Sequence, residues 1–119
     1  MDCKSHESRW SHAATDHSEN RKSPKGVKVT VLSVAGHCAA GIKPGDFFIV
    51  ESGGAEGHGA SFMRHTDGFC PEAFHNVFPA VLAVLHGGRL PWEDAEGVAR
   101  VSCPDPNARV VMGVSRITD

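Results

Sequence analysis

The sequence contains no tyrosine, and two tryptophans and six phenylalanines supply all of its aromatic mass. A platform on which single-stranded bases stack needs more aromatic surface than this, set beside basic residues. No face-sized run of lysine or arginine occurs, and the formal net charge is -2 with histidines neutral. Nucleic acid and anionic membrane surfaces are therefore not expected as partners. The longest apolar stretch, around Val77 to Leu85, is interrupted by Pro79 and falls far short of the roughly 20 residues of a membrane helix. The N-terminus lacks the apolar segment of a secretory signal, which makes the cytoplasm the expected address. There, scattered cysteines are ligands, reactive thiols or core residues rather than disulfides. None of the four is part of a Cys-x-x-Cys pair.

What is present fits one globular domain. The chain has 119 residues, 40% hydrophobic and 22% charged, near the averages for such domains. Residues 1–25 form a polar tail with Trp10 as its one aromatic. Such a segment cannot bury enough surface to offset an ordering entropy of roughly 1–2 kcal/mol per residue, so disorder is expected there. Its His6, His12 and His17 are spaced five and six residues apart and do not stack on one helix face. They read as part of a solvated tail, and Cys3 as a bystander.

Order is expected over residues 26–119. Val27, Val29 and Val31 alternate with Lys28, Thr30 and Leu32, which is a β-strand pattern. Gly36, Gly41 and Pro44-Gly45-Asp46 mark the turns that follow, and Phe47 to Glu51 reads as a second strand. A glycine-rich stretch without periodicity covers 52–69 and is expected to be a long loop. Its glycines at 53, 54, 57 and 59 lack the strand-to-helix setting of a phosphate cradle. Cys70-Pro71-Glu72 then opens a helix: proline suits the first helical position, and a carboxylate suits the positive end of the dipole. Ala73, Phe74, Val77, Phe78, Val81, Leu82 and Leu85 recur at helical spacing. Pro79 predicts a kink or a break into two short helices, and Gly87-Gly88 a stop. After the rigid connector Leu90-Pro91-Trp92-Glu93, strands are expected over about 98–103 and 109–117, joined by Pro104-Asp105-Pro106-Asn107-Ala108. The order β-β-α-β-β implies an α+β fold, a small antiparallel sheet with one kinked or broken helix packed on it.

Cys38, Cys70 and Cys103 each fall where a regular element meets a loop, and such positions can converge in space. Cys70 and Cys103 are followed by proline, which fixes the backbone just beyond the sulfur. Cys70 takes the expected N-cap position, where the helix dipole favours thiolate over thiol. Three thiolates and one further ligand make a tetrahedral site for zinc, or for iron. The fourth ligand could be His75, His37 or a water. The other readings are a redox or nucleophilic enzyme using Cys70, and a structural or partner-binding module whose cysteines only fill the core. For the latter, Trp92 and a free sheet edge are candidate surfaces, and a homo-oligomer is a possible outcome. His86 reads as a helix C-terminal residue favoured by the dipole, and Asp46 and Asp105 as turn residues. His58 and His65 can act only if the glycine-rich loop folds over the site.

The run Val27-Lys28-Val29-Thr30-Val31-Leu32, then Cys38-Ala39-Ala40-Gly41, Lys43-Pro44-Gly45-Asp46, Cys70-Pro71, Leu90-Pro91-Trp92 and Cys103-Pro104-Asp105-Pro106 resembles an uncharacterised family of small bacterial and archaeal proteins. The resemblance covers roughly residues 26–117. It implies that Cys38, Cys70 and Cys103 are the family's marker cysteines, and it carries no established activity. This chain departs from the pattern in its histidine-containing tail and in the longer insert at 52–68.

Overall fold

A computed structural model describes residues 24–52 and 61–118. The strands are β1 (Gly26–Val34), β2 (Phe47–Ser52), β3 (Ser61–Arg64), β4 (Ala99–Ser102) and β5 (Val110–Ile117), and the helix is α1 (Pro71–Leu85). The five strands form one sheet in the order β3-β2-β1-β5-β4, with every neighbouring pair antiparallel. The fold is α+β, one helix on a five-stranded antiparallel sheet.

Alternation along β1 explains the layering. Val27, Val29 and Val31 are fully buried with Phe48 and Val50 of β2 and Val110, Met112 and Val114 of β5. These side chains share the sheet face that α1 covers with Ala73, Val77, Val81, Val84 and Leu85. Each buried valine of that layer contributes about 1.5–3 kcal/mol relative to exposure. Leu82, expected on the apolar stripe, points outward at 38% exposure, and Val84 takes the inward position.

Two expectations need correction. The stretch 52–69 is not all loop, because Ser61–Arg64 pairs with β2 from Ile49↔Arg64 to Ser52↔Ser61. Four residues with adjacent Phe62 and Met63 show no period of two; the strand exists because β2 offers an open edge. Of the two outcomes expected at Pro79, a kink or a break, the break does not occur: the helix runs as one element from Pro71 to Leu85. The carbonyl that Pro79 leaves without a donor belongs to His75, and both residues are on the exposed side, where solvent satisfies it. The Lys25 amide donates to the Ile117 carbonyl at 3.0 Å, extending the β1–β5 pairing one residue before Gly26.

The helix ends as the two glycines suggest. Gly87 adopts φ +91°, its amide donates to Val84, and the Gly88 amide donates to Ala83, a Schellman motif. Beside that end, Glu93 accepts from both Arg116 guanidinium nitrogens at 2.7 and 2.8 Å and from the Leu90 amide at 2.6 Å. Arg116 also donates to the Gly88 carbonyl at 2.8 Å. The hydrogen bonds from Arg116 hold the Glu93 carboxyl at about 2, against the opposing effect of burial. One ion pair thus clips the Leu90–Glu93 connector, the helix C-terminus and the end of β5 together. The tail residues His6, His12, His17, Trp10 and Cys3, and also His58, lie outside the described residues.

Candidate functional site: a thiol-lined cavity

At the opposite end of α1, three loops meet. The first leaves β1 after a register shift between Val31 and Ser33, a bulge that turns the strand end. Its path is then fixed by β5: the Gly36 amide donates to the Ala108 carbonyl at 2.9 Å. A Cβ on Gly36 would collide with the Asn107 carbonyl, so only glycine lets the two loops approach this closely. The Gly41 amide then donates to the Cys38 carbonyl at 3.0 Å, with Gly41 at φ +74°, closing a turn on Cys38. Asp46 acts as the expected turn lock, its carboxylate accepting from the Lys43 amide at 2.9 Å.

The second loop brings in the helix start. Phe69 packs edge-on against Phe48 with ring centroids 4.8 Å apart, and Phe74 follows at 5.4 Å. These rings fasten the chain on both sides of Cys70 to β2. Cys70 is the N-cap, Pro71 opens the helix, and the Cys70 side chain makes no capping hydrogen bond. Its sulfur is not committed to the helix end.

The third loop joins β4 to β5. The Asn76 side-chain amide donates to the Ser102 carbonyl, tying α1 to the residue before Cys103. Asp105 is the turn lock expected of it: its carboxylate accepts from the Asn107 amide at 2.8 Å, and its carbonyl accepts from Arg109 at 3.0 Å. The Cys103 amide donates to the Val110 carbonyl at 2.8 Å, while the Val110 amide donates to the Cys103 sulfur at 3.3 Å. The thiol in turn reaches the Asp105 carbonyl at 3.7 Å. The sulfur closes the hairpin where a backbone carbonyl would otherwise sit.

These loops enclose a cavity of about 320 Å³ whose wall includes Cys38, Cys70 and Cys103 together. All three are free and half-buried. Its floor is apolar and buried, formed by Ile42, Ala73, Ala108 and Val110, while Glu72 and Asp105 stand on its exposed rim. His75 and His37 are both exposed and are not on this wall. His65 lines a separate cavity with Asp46 and Asp67 on the other side of Ile42, its ring 5.1 Å from that of Phe47. Among the described residues, no three His, Cys, Asp or Glu side chains are gathered closely enough to grip a single ion. Sequence reasoning placed the thiols at junctions but missed the rim carboxylates; Glu72 beside the N-cap was the available signal.

Fold and site together define a small α+β domain with a thiol-lined cavity at one end of its helix. No protein-family model, curated protein or solved structure matches the chain. No helix among the described residues is long and apolar enough to cross a membrane.

Proposed function

We propose that this chain is a small metal-binding protein that holds zinc or iron through Cys38, Cys70 and Cys103. One observation carries the reading: three cysteines from three separate loops line the same cavity. The amide aimed at the Cys103 sulfur is the kind of outer contact that orients a metal thiolate. Thiolate ligands suit both metals, and the bound ion would act as a structural clamp or, with a position left open, as a Lewis acid. The further ligand is a rim carboxylate, Glu72 or Asp105, or a water. In this reading the cytoplasm is the site of action, and the resemblance of the three marker cysteines to those of the small bacterial and archaeal family belongs to the same proposal. Two copies pairing along an edge strand of the sheet, β3 or β4, would give the homo-oligomer, which light scattering detects.

The experiment is metal analysis of the purified full chain, handled anaerobically without chelator, followed by titration with zinc and with ferrous iron. Retention or uptake that disappears in Cys70→Ser is the expected result. No metal bound and no uptake of either ion would overturn the proposal.

A second reading, a redox or nucleophilic thiol enzyme, is favoured by one feature. The Cys70 sulfur at the helix start has no capping bond and faces a cavity at the small end of ligand sites. Alkylation rate against pH separates it: a Cys70 profile centred at the ordinary thiol value of about 8.5 speaks against an activated nucleophile.

A further inference from the structure

A single tetrahedral zinc or iron draws its sulfurs to within about 4 Å of one another, given metal–sulfur bonds near 2.3 Å. That packing leaves no space between them. Here Cys38, Cys70 and Cys103 share the wall of a cavity of about 320 Å³, and no three ligand side chains among the described residues are gathered for one ion. Resting on the metal reading above, we propose that the group held is a cubane iron–sulfur cluster, each thiolate bound to a different iron.

Two further features of the cavity support a polynuclear group. In a cubane the thiolates sit at separate corners, so they surround a volume instead of converging on a point. The floor is made of Ile42, Ala73, Ala108 and Val110: aliphatic side chains, which exclude water without offering competing ligands. The Val110 amide points at the Cys103 sulfur at 3.3 Å, and amide hydrogen bonds to sulfur are among the contacts that set the potentials of such clusters. A cubane has four irons and this cavity supplies three thiols. The fourth iron therefore faces the exposed rim, where Glu72 and Asp105 stand, and is the corner open to an exogenous ligand.

Loading by ligand exchange needs no oxidant or reductant. A preformed [4Fe–4S] cluster carrying four small thiolates exchanges three of them for cysteine thiolates. Three iron–sulfur bonds break and three form, and each cysteine proton leaves on a departing small thiol.

The test is to mix the reduced full chain anaerobically with such a synthetic cluster, desalt, and measure iron, labile sulfide and released thiol. Zinc uptake is measured in parallel. The expected result is about four iron and four sulfide per chain, a broad visible charge-transfer band, and three equivalents of thiol released. Cys38→Ser, Cys70→Ser and Cys103→Ser should each lower retained iron severalfold while keeping the far-UV spectrum. Because a variant can fail to fold, blocking of all three cysteines against alkylation in the loaded wild-type chain is the second readout. A single zinc or iron per chain without sulfide would overturn the cluster and leave the metal reading standing. Neither cluster, zinc nor iron retained would overturn both.

Discussion

The two ends of α1 are built on opposite principles. At its C-terminus, Glu93 and Arg116 satisfy each other and the surrounding backbone, with side chains only 9% and 16% exposed. At its N-terminus, Cys38, Cys70 and Cys103 line one cavity with an apolar floor, and the Cys70 side chain makes no capping hydrogen bond. A half-buried ion pair with every oxygen partnered has nothing left to bind, so that end is structural. Of the thiols there, Cys103 is held by the Val110 amide and the Asp105 carbonyl, while the Cys70 side chain takes no part in capping the helix. The same helix is thus anchored at one end and available at the other.

The largest effect should come from the anchored end. Arg116→Met leaves Glu93 with only the exposed Arg89, 3.9 Å away, and should cost about 3 kcal/mol in denaturant unfolding, with metal uptake at the cavity unchanged. Equal loss of metal binding would show that the two ends are not separable. The same pair carries an acid signature. The carboxyl at about 2 lies below its ordinary 4.5, so its contribution is complete above about pH 4.5 and is lost as pH falls toward 2. At about 1.4 kcal/mol per pKa unit it should amount to at most about 3 kcal/mol. Glu93→Gln should remove that part of the pH slope; an unchanged slope would place the acid sensitivity elsewhere.

Next in size, Gly36→Ala should cost about 1–3 kcal/mol, because the added methyl meets the Asn107 carbonyl and the backbone must yield. In contrast to Arg116→Met, it should also weaken metal retention, since it displaces the loop that carries Cys38. The smallest effect on stability belongs to Cys70→Ser. Serine still caps the helix, so the change should be tenths of a kcal/mol with the far-UV spectrum intact, while metal is lost. A variant that binds metal normally and melts like the parent would reduce Cys70 to a cap and a filler.

The elements legible in the sequence are those whose pattern is local. The Val27-Val29-Val31 alternation and the Cys70-Pro71-Glu72 start each carry their own period or cap, and both appear where expected. β3 was not legible because four residues contain no period, and only the β2 edge makes them a strand. The uninterrupted helix through Pro79 depends on which side of α1 is wet, a tertiary fact. The Glu93–Arg116 pair spans 23 residues and leaves no trace beyond a charged residue in an apolar strand. In the site, the three cysteines at element junctions line one cavity. His75 was a weaker choice for a geometric reason: five residues along a helix turn it by about 140° from Cys70, and it lies exposed away from the cavity wall.

Cys38, Cys70 and Cys103 are proposed to form one metal site. Its most direct measurement is alkylation of the full chain with and without bound metal, read residue by residue by mass spectrometry with Cys3 as internal reference. Metal should slow labelling of all three cysteines together, in proportion to occupancy, and leave Cys3 unchanged. Three cysteines that label independently, at rates indifferent to metal, would contradict it.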